Sequence, residues 1–502
     1  MSNKRTIAKN TFFLYFRMLF SMFLALFISR LILKYLGATD YGIYGVVGSV
    51  VTMFSFFNSA MTTAGQRCLS VDLANDKKRY SKTYGSIFII SLLLAFVVIF
   101  ILQIFAPNFI RNTLNIPPER IKVAIYVFHA TCISFLLNTL KIPFTSSLIA
   151  QERFNIYAII SVLDTLFLLL VSILLKYTSF DKLLFYSYGI VFNRILILIL
   201  FIFYGLKDQR ISFNISKENI LELTRFFGWN ILGGLSSVGL YQGMQILLNL
   251  FFNPLVNTAQ TLTLQVKSAI ESFAGNIRTA SNPQIVIKSS SGDFIQTASL
   301  LLMSMKYSTI VILLVSIPLF VKIDYILYLW LGNFPKYTNI FIRFYIINAI
   351  IDVISSPIVT VIQSIGNLSK YQIISSVVLL SVLPFTYILF KYGYPPYYYG
   401  FVLLGSTILM LLVRVLFLLK MIRVSNKTLL FEISKQLFFI PLSVLVLSYL
   451  VSNIFVSDLI NTIIVTLTST IAVLILSWFF LLQLNERESI QKYIKIKLLK
   501  IK

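Results

Sequence analysis

Charged side chains are scarce in this sequence. Asp, Glu, Lys and Arg together make up 12% of the 502 residues, whereas roughly a quarter of the residues are charged in a typical soluble domain. No loop between the apolar stretches is long enough to collect the remaining charges into a domain of its own. The composition therefore excludes a soluble protein.

The residue types that carry most enzyme chemistry are also few. The two cysteines, Cys68 and Cys132, have no metal-ligand spacing, and His129 is the only histidine. No glycine-rich loop is followed by Lys and Ser or Thr, and no nucleophile elbow occurs. We therefore predict no metal, no cofactor and no enzymatic activity, and leave a coupling ion, Na⁺ or H⁺, open. His129 fits either a packing role or proton coupling.

Apolar residues are abundant instead, at 58% of the chain. Since a spanning helix uses roughly 20 residues, this share allows about fourteen spans. Continuous apolar runs such as 87–105 and 463–482 exclude the alternation of a membrane β-barrel. We predict an all-α integral membrane protein with about 14 transmembrane helices, and keep twelve as the main alternative. The predicted spans are 10–36, 41–65, 83–107, 120–144, 154–176, 183–206, 225–252, 255–280, 297–321, 338–363, 371–392, 397–420, 435–456 and 459–483.

Positive charge sorts to one side of these spans. With the N-terminus inside, Lys and Arg on the inner side outnumber those outside by about three to one. We therefore predict that both termini are cytoplasmic, and that the net charge of +25 reflects this sorting rather than nucleic-acid binding. The tail 485–502 fits a basic helix lying on the inner leaflet or a solvated segment.

The spans also predict an internal repeat. A shift of about 215 residues lays the first six spans over spans seven to twelve. We predict a six-helix lobe in 1–215 and a second in 216–430, related by a pseudo-twofold axis along the membrane normal. Two additional helices follow in 431–484.

Ionisable residues within spans are the candidate site, because each costs several kcal/mol unless it faces water or a partner. Cations outnumber acids at this depth, which favours a cavity for a large anion such as a phosphate-linked lipid. Snorkelling and structural pairing are the alternatives, and Lys267 and Glu271, spaced i,i+4, either neutralise each other or line the cavity as a pair. The candidate binding cations are Arg17, Lys267, Arg194 and Arg414, and the candidate polar or coupling residues are Asp40, Glu271, Gln265 and Asp164.

Two groups of neutral side chains add candidates for sugar contacts. The polar span 255–280 offers Gln260, Thr263, Gln265 and Asn276 as hydrogen-bonding partners for hydroxyl groups. The tyrosine-rich segment 392–399 fits an aromatic belt at the membrane interface, or stacking on sugar rings.

The segment from Arg30 to Tyr44, with its Gly-x-x-Asp-Tyr-Gly-x-Tyr element, resembles the first hairpin of Wzx-type O-antigen and capsule flippases. These belong to the multidrug/oligosaccharidyl-lipid/polysaccharide exporter superfamily. The following segment 64–67 fits the cytoplasmic loop of that pattern. The resemblance implies a MATE-like fold with two lobes around a central cavity, in a bacterial inner membrane. It also implies, by region only, that Arg17 and Lys267 match basic residues of the peptidoglycan-precursor flippases, and that Asp40 matches their aspartate.

The implied function is flipping of undecaprenyl-pyrophosphate-linked oligosaccharide for O-antigen, capsule or exopolysaccharide synthesis. Expected partners are this lipid-linked substrate, membrane lipids and polysaccharide polymerase machinery, with the protein itself a monomer. The alternative is a cation-coupled multidrug or small-molecule exporter that uses Asp164 and Glu271 to bind cations. A membrane glycosyltransferase or polymerase is disfavoured, because neither catalytic acids nor a large extramembrane loop is present.

Overall fold

The structure is a computed structural model that describes residues 2–75, 77–206, 217–365, 368–422, 426–452, 457–482 and 486–488. Side chains are described from Met18 onward, apart from those at 74–78, 206, 217–230, 232, 274, 276–280, 283, 290, 368, 426 and 428–429. Within these residues the regular elements are helices, with no strand. This is the expected result for long apolar segments, whose backbone N–H and C=O groups must pair within the chain.

The first half of the chain forms eight α-helices. They are α1 (Ser2–Leu36), α2 (Ala38–Thr52), α3 (Ser55–Asn75), α4 (Lys77–Asn112), α5 (Ile121–Leu140), α6 (Ile142–Ala150), α7 (Phe154–Leu174) and α8 (Lys182–Leu206). A 3₁₀ turn, Pro118–Arg120, precedes α5. The predicted spans 41–65 and 120–144 are thus each divided into two helices, with breaks at 53–54 and at Lys141.

Ten more α-helices follow. They are α9 (Lys217–Phe251), α10 (Pro254–Ser290), α11 (Phe294–Val321), α12 (Ile323–Leu331), α13 (Thr338–Ile365), α14 (Leu368–Lys391), α15 (Tyr398–Met421), α16 (Asn426–Ser434), α17 (Ile440–Val451) and α18 (Asp458–Leu476). Two π-helical turns, Lys435–Phe439 and Ser477–Leu481, lie in the last part of the described chain. The nine-residue helix α12 was not predicted.

The predicted all-helical membrane fold is confirmed, but the count of fourteen spans is not. Among the described residues, eleven helices are long and apolar enough to cross a membrane. The count is twelve if α2 and α3, which bend by 51° at their junction, form one span. Helices α9 and α10 occupy the predicted spans 225–252 and 255–280 and are not among these eleven: part of α9 lies outside the residues whose side chains are described, and Gln, Asn and Thr dilute the apolar residues of α10.

The packing divides the chain into two compact units. Unit 1 comprises Met1–Gln265, Asn333–Thr338 and Gln372–Val402, and unit 2 comprises Val266–Gly332, Asn339–Tyr371 and Leu403–Lys502. These units do not follow the predicted boundaries at 215 and 430, and the symmetric lobes stay a prediction. Of the predicted tail 485–502, all but 486–488 lies outside the described residues.

Unit 1 has a densely packed apolar core between α3, α4, α6 and α8. Tyr84 and Phe144 meet edge to face at 5.9 Å, and Met61, Ile87 and Leu148 are buried around them. Because lipid tails are as apolar as these side chains, the helices are held together here by close van der Waals packing rather than by removal of the side chains from water. This core fixes the relative positions of the helices that carry the polar residues of unit 1.

In unit 2, polar contacts tie α11 to the last part of the chain. The Lys306 ammonium pairs with a carboxylate oxygen of Glu486 at 2.6 Å. Directly after the last residue of α11, Lys322 Nζ donates to the backbone carbonyl of Ser452 at 2.7 Å. These contacts give the buried polar side chains of this seam partners within the protein.

Candidate functional site

Each predicted cation whose side chain is described lies in an ion pair. Arg194 meets Asp164 at 2.7 Å in unit 1. In unit 2, Lys267 meets Glu271 at 2.8 Å with the predicted i,i+4 spacing. The fourth predicted cation, Arg17, lies on α1 at a position whose side chain is outside the described residues.

Arg414, the remaining predicted cation, is buried in a hydrogen-bonded setting in unit 2. Its Nη2 lies 2.8 Å from a carboxylate oxygen of Asp352. Its other nitrogens donate to Ser355 Oγ at 2.6 Å and to Tyr371 Oη at 3.2 Å. Through these three partners Arg414 joins neighbouring helices, in addition to being a candidate binding residue.

The Arg194–Asp164 pair joins the middle of α7 to the middle of α8. Asn193 Nδ2 donates to the same carboxylate at 2.8 Å, so Asp164 is doubly held. The Arg194 guanidinium reaches Asp164 through Nη1 alone, at 2.9 and 2.7 Å to its two oxygens. Since both of these bonds use Nη1, the N–H groups of Nη2 and Nε are left for another acceptor.

A second cation, Lys141, lies close enough to interact electrostatically with both members of this pair. It sits at the break between α5 and α6, where its Nζ donates to Asn138 Oδ1 at 3.2 Å and lies 5.6 Å from the Phe201 ring centroid. Two cations thus lie near one carboxylate, with Arg194 in contact with Asp164 and Lys141 within electrostatic range of both, and the cluster Lys141–Asp164–Arg194 carries net positive charge. We refer to these three residues as the cationic cluster. Lys141 was not singled out from the sequence, because it falls at a predicted span end where lysines commonly snorkel.

Asp40 lies in a different setting. Arg120 Nε donates to Asp40 Oδ1 at 2.9 Å, and its two other nitrogens contact Asp40 and Asp181. One arginine therefore links the start of α2, the turn before α5 and the start of α8. We call this the outer triad, because all three residues fall on the predicted outer side.

Within the triad, Asp181 lies in the turn before α8. Burial raises the pKa of this carboxyl, but hydrogen bonds from Arg120 and from the backbone N–H groups of Leu184 and Leu183 outweigh it and lower the pKa below its usual value. The Asp181 carboxylate is also the N-cap of α8, accepting from Leu183 N at 3.0 Å and Leu184 N at 3.1 Å.

The Gly-x-x-Asp-Tyr-Gly-x-Tyr element forms the packing face of α2. A Cβ atom on Gly42 would come within 1.8 Å of the Pro254 carbonyl oxygen, so only glycine allows this approach of α2 to α10. Tyr41 Oη accepts a hydrogen bond from Gln265 Nε2 at 2.7 Å. Tyr44 packs edge to face on Tyr186 at 5.0 Å.

Most of the polar side chains at the start of α10 are turned into the packed interior. Gln260 and Thr263 are fully buried, Gln260 accepting from the Tyr399 hydroxyl and Thr263 donating to the Ala259 carbonyl at 2.7 Å. Gln265 keeps one buried acceptor, its Oε1, without a hydrogen-bond partner in the described part of the chain. Asn276 lies among the residues whose side chains are not described.

Buried amides connect α9 and α10 with the turn after α4. Asn257 Nδ2 donates to Gln245 Oε1 at 2.8 Å, and Asn249 Nδ2 donates to Asn257 Oδ1 at 3.1 Å. Asn249 Oδ1 in turn accepts from the backbone of Asn115 at 2.8 Å. These side chains make α9 and α10 polar in composition, but their polar groups are buried and hydrogen-bonded within the protein.

The described residues contain no group of three or more His, Cys, Asp or Glu that could hold a metal ion. His129 Nδ1 lies 3.2 Å from Gln103 Nε2, between α4 and α5. The predicted lack of a cofactor and the open question of a coupling ion stay as predictions.

No family model matches the chain, and no curated protein matches it in sequence. Among solved structures, an inward-facing multidrug resistance MATE family transporter of the MOP superfamily has a TM-score of 0.64 at 14% identity, covering 80% of this chain and 94% of its own. The lipid II flippase MurJ, in an inward closed conformation, also has a TM-score of 0.64, at 17% identity, covering 93% of this chain and 98% of its own. A mutant of the Vibrio cholerae MATE transporter VcmN has a TM-score of 0.56 at 14% identity, over 84% and 98% of the two chains. The protein thus has the fold of MOP superfamily transporters.

Proposed function

We propose that this protein flips an undecaprenyl-pyrophosphate-linked oligosaccharide across the bacterial inner membrane for surface polysaccharide synthesis. The observation that carries the proposal is the cationic cluster, in which Arg194 pairs with Asp164 and a second cation, Lys141, lies within electrostatic range of both, so that one carboxylate faces two cations. Net positive charge among apolar helices attracts an anion and repels a cation. A pyrophosphate-linked lipid is an anion that already resides in the bilayer.

The donor geometry of the cluster suits a phosphate group. Arg194 uses Nη1 for Asp164, which leaves the N–H groups of Nη2 and Nε for phosphate oxygens. Lys141 adds up to three donors on a flexible stem, one of which is shared with Asn138. Binding and release need no covalent step, so the proposed activity is transport rather than catalysis.

The fold is compatible with a lipid-linked substrate, since a lipid II flippase shares it over nearly the whole length of both chains. The exporter alternative has less support. Both acids that it would use to bind cations, Asp164 and Glu271, are engaged by Arg194 and Lys267. A cationic drug would first have to displace a protein cation from either acid.

The other predicted binding residues remain part of the proposal, but their structural settings differ. Arg17 and Lys267 remain candidates for the pyrophosphate, although Lys267 is neutralised by Glu271. Arg414 has a more structural setting beside Asp352. A monomeric protein with both termini in the cytoplasm, working beside a polysaccharide polymerase, completes the proposal.

Complementation of a deletion strain of the native host tests the function. Lys141→Met removes one charge of the cluster without leaving a carboxylate unpaired, and Lys141→Arg retains the charge. We expect Lys141→Met to reduce surface polysaccharide about tenfold or more at normal protein level, the effect of losing one charge-assisted hydrogen bond. Lipid-linked oligosaccharide should accumulate at the same time, and Lys141→Arg should retain most of the activity.

Lys176→Met, at an exposed lysine after α7, is the matched control and should behave as wild type. Undiminished surface polysaccharide in Lys141→Met would remove the cluster from the mechanism. Changed drug susceptibility with intact surface glycan in the deletion strain would favour the exporter instead.

A further inference from the structure

Aromatic side chains from two separate segments of unit 1 gather into one cluster. Tyr398 lies at its centre, with ring centroids 4.9 Å from Tyr394, 5.2 Å from Tyr397 and 5.6 Å from Phe401. Tyr337, about 60 residues earlier in the chain, joins it through Tyr397 at 6.0 Å. We call Tyr337, Tyr394, Tyr397, Tyr398 and Phe401, together with the neighbouring Tyr392, the tyrosine platform.

The backbone is built to present these rings. Gly393 has φ of +80° and is followed by Pro395 and Pro396, so the turn between α14 and α15 has little conformational freedom. Tyr337 has φ of +75°, in the left-handed region that bulky side chains rarely adopt. Such a conformation is unfavourable for a tyrosine and persists where the surrounding structure imposes it.

The tyrosine platform adjoins a buried tyrosine and includes exposed rings. Tyr399 is buried, and its hydroxyl donates to Gln260 on α10. On the open side, Tyr392 is 78% exposed, Phe401 56% and Tyr394 43%. The platform therefore combines three exposed rings with the half-buried Tyr337, Tyr397 and Tyr398.

Anchoring in the membrane interface does not require this arrangement. An interfacial tyrosine contributes alone, by placing its ring at headgroup level, and needs neither contact with other rings nor a strained backbone. A binding surface needs both, because rings fixed before binding lose little conformational freedom when a ligand arrives. The architecture thus favours a ligand that is bound by several rings at once.

The chemistry of the rings identifies the class of ligand. A pyranose ring presents a face of C–H groups that stacks on an aromatic face, while its hydroxyls hydrogen-bond to phenol groups. Several adjacent tyrosines match several adjacent sugar units. We propose that the tyrosine platform binds the oligosaccharide of the transported substrate; this rests on the proposed function for the identity of the glycan.

The platform lies between α14 and α15, on the predicted outer side of the membrane. A glycan bound there has already left the cytoplasmic side. Stacking at this point holds the sugars outside while the lipid completes its movement, and disfavours their return.

Saturation-transfer NMR on the full-length protein in nanodiscs tests the platform directly. The probe is the oligosaccharide released by mild acid from the host's own surface polysaccharide. We expect transfer to its ring C–H protons with wild type, and a reduction of about tenfold in Tyr394→Ala/Tyr398→Ala, the size of effect typical of lost aromatic stacking. Tyr394→Trp retains a stacking face and should retain transfer.

Tyr328→Ala/Tyr449→Ala removes two tyrosines that are 63% and 62% exposed outside the platform, and should leave transfer unchanged. Tyr394→Ala alone, at an exposed site, serves if the double variant does not fold. Lys141→Met should still bind the soluble probe, because it impairs flipping without touching the platform. Equal transfer in wild type and Tyr394→Ala/Tyr398→Ala, or none in a wild-type protein that flips normally, overturns the platform and leaves these tyrosines as interfacial anchors.

Discussion

At the scale of single residues, the described groups of charged side chains differ in net charge. Lys267–Glu271 is a neutral pair, and the outer triad of Asp40, Arg120 and Asp181 nominally carries one negative charge. The cationic cluster nominally carries one positive charge. A neutral pair satisfies itself, whereas unbalanced positive charge at low dielectric attracts an anion, which is why the proposed function rests on the cluster. The triad instead joins three helix ends.

The outer triad makes stability depend on pH through Asp181. Its pKa is lowered in the folded protein, so its contribution is present above the unfolded value of about 3.9 and is lost as the pH falls through the folded pKa. Asp181→Asn retains an N-cap for α8 but removes the charge that pairs with Arg120. We expect it to lower stability at pH 7 by about 1 kcal/mol. The thermal unfolding curves of variant and wild type should begin to converge below about pH 4 and should coincide only below the folded pKa of Asp181.

Asp293→Asn is the control for this experiment. Asp293 caps α11 by accepting from Gln296 N at 3.1 Å, with no arginine among its described hydrogen-bond or ion-pair partners. Its substitution should change the unfolding temperature little at either pH. A difference between wild type and Asp181→Asn that is as large at pH 3.5 as at pH 7 would contradict a charge-based role for Asp181.

At the scale of helices, sequence predicts what depends on local pattern and misses what depends on contacts between helices. Apolar length predicts most of the long helices, and i,i+4 spacing predicts the Lys267–Glu271 pair. The partners Arg194 and Asp164 are 30 residues apart on α7 and α8, where no local rule applies. The one available signal is depth, since each lies near the middle of its predicted span.

The break at Lys141 has a local signal, because Pro143 lies in the first turn of α6, although the residues on both sides are equally apolar. The limit set by contacts between helices applies to the outer triad. Asp40 and Arg120 both lie at the outer ends of predicted spans, but their pairing depends on how α2 packs beside α5. Matching charged residues by predicted membrane side would have brought Asp40, Arg120 and Asp181 together.

The packing of α2 on α10 gives a test of the family-like element around Asp40. Gly42→Ala places a Cβ atom 1.8 Å from the Pro254 carbonyl oxygen, so the backbone must move. Gly48→Ala, on the same helix, meets no atom within 4 Å. We expect Gly42→Ala to destabilise the protein by about 2 kcal/mol or more and reduce its amount in the membrane. Gly48→Ala should be neutral or slightly stabilising, and equal unfolding temperatures for the two variants would contradict this packing.

At the scale of the whole molecule, the open point is whether α9 and α10 cross the membrane. Part of α9 lies outside the residues whose side chains are described, and α10 is polar in composition, yet their 35 and 37 residues are long enough to cross. Their polar groups are largely hidden, since Gln245, Asn249, Asn257 and Gln260 are buried and hydrogen-bonded within the protein. Buried and paired amides cost little in a bilayer, so hydropathy understates the ability of these helices to span.

The turn between α9 and α10 decides the question. Asn253 is exposed there, and it lies outside the cell if both helices cross from a cytoplasmic start, or inside if neither does. In a variant lacking Cys68 and Cys132, we expect Asn253→Cys to react with a membrane-impermeant maleimide in intact cells. Thr178→Cys, in the predicted outer turn before α8, is the positive control, and Ser291→Cys, in the predicted inner turn after α10, should react only after permeabilisation. If Asn253→Cys behaves like Ser291→Cys, the two helices do not cross, and the span count remains at the eleven or twelve that hydropathy supports.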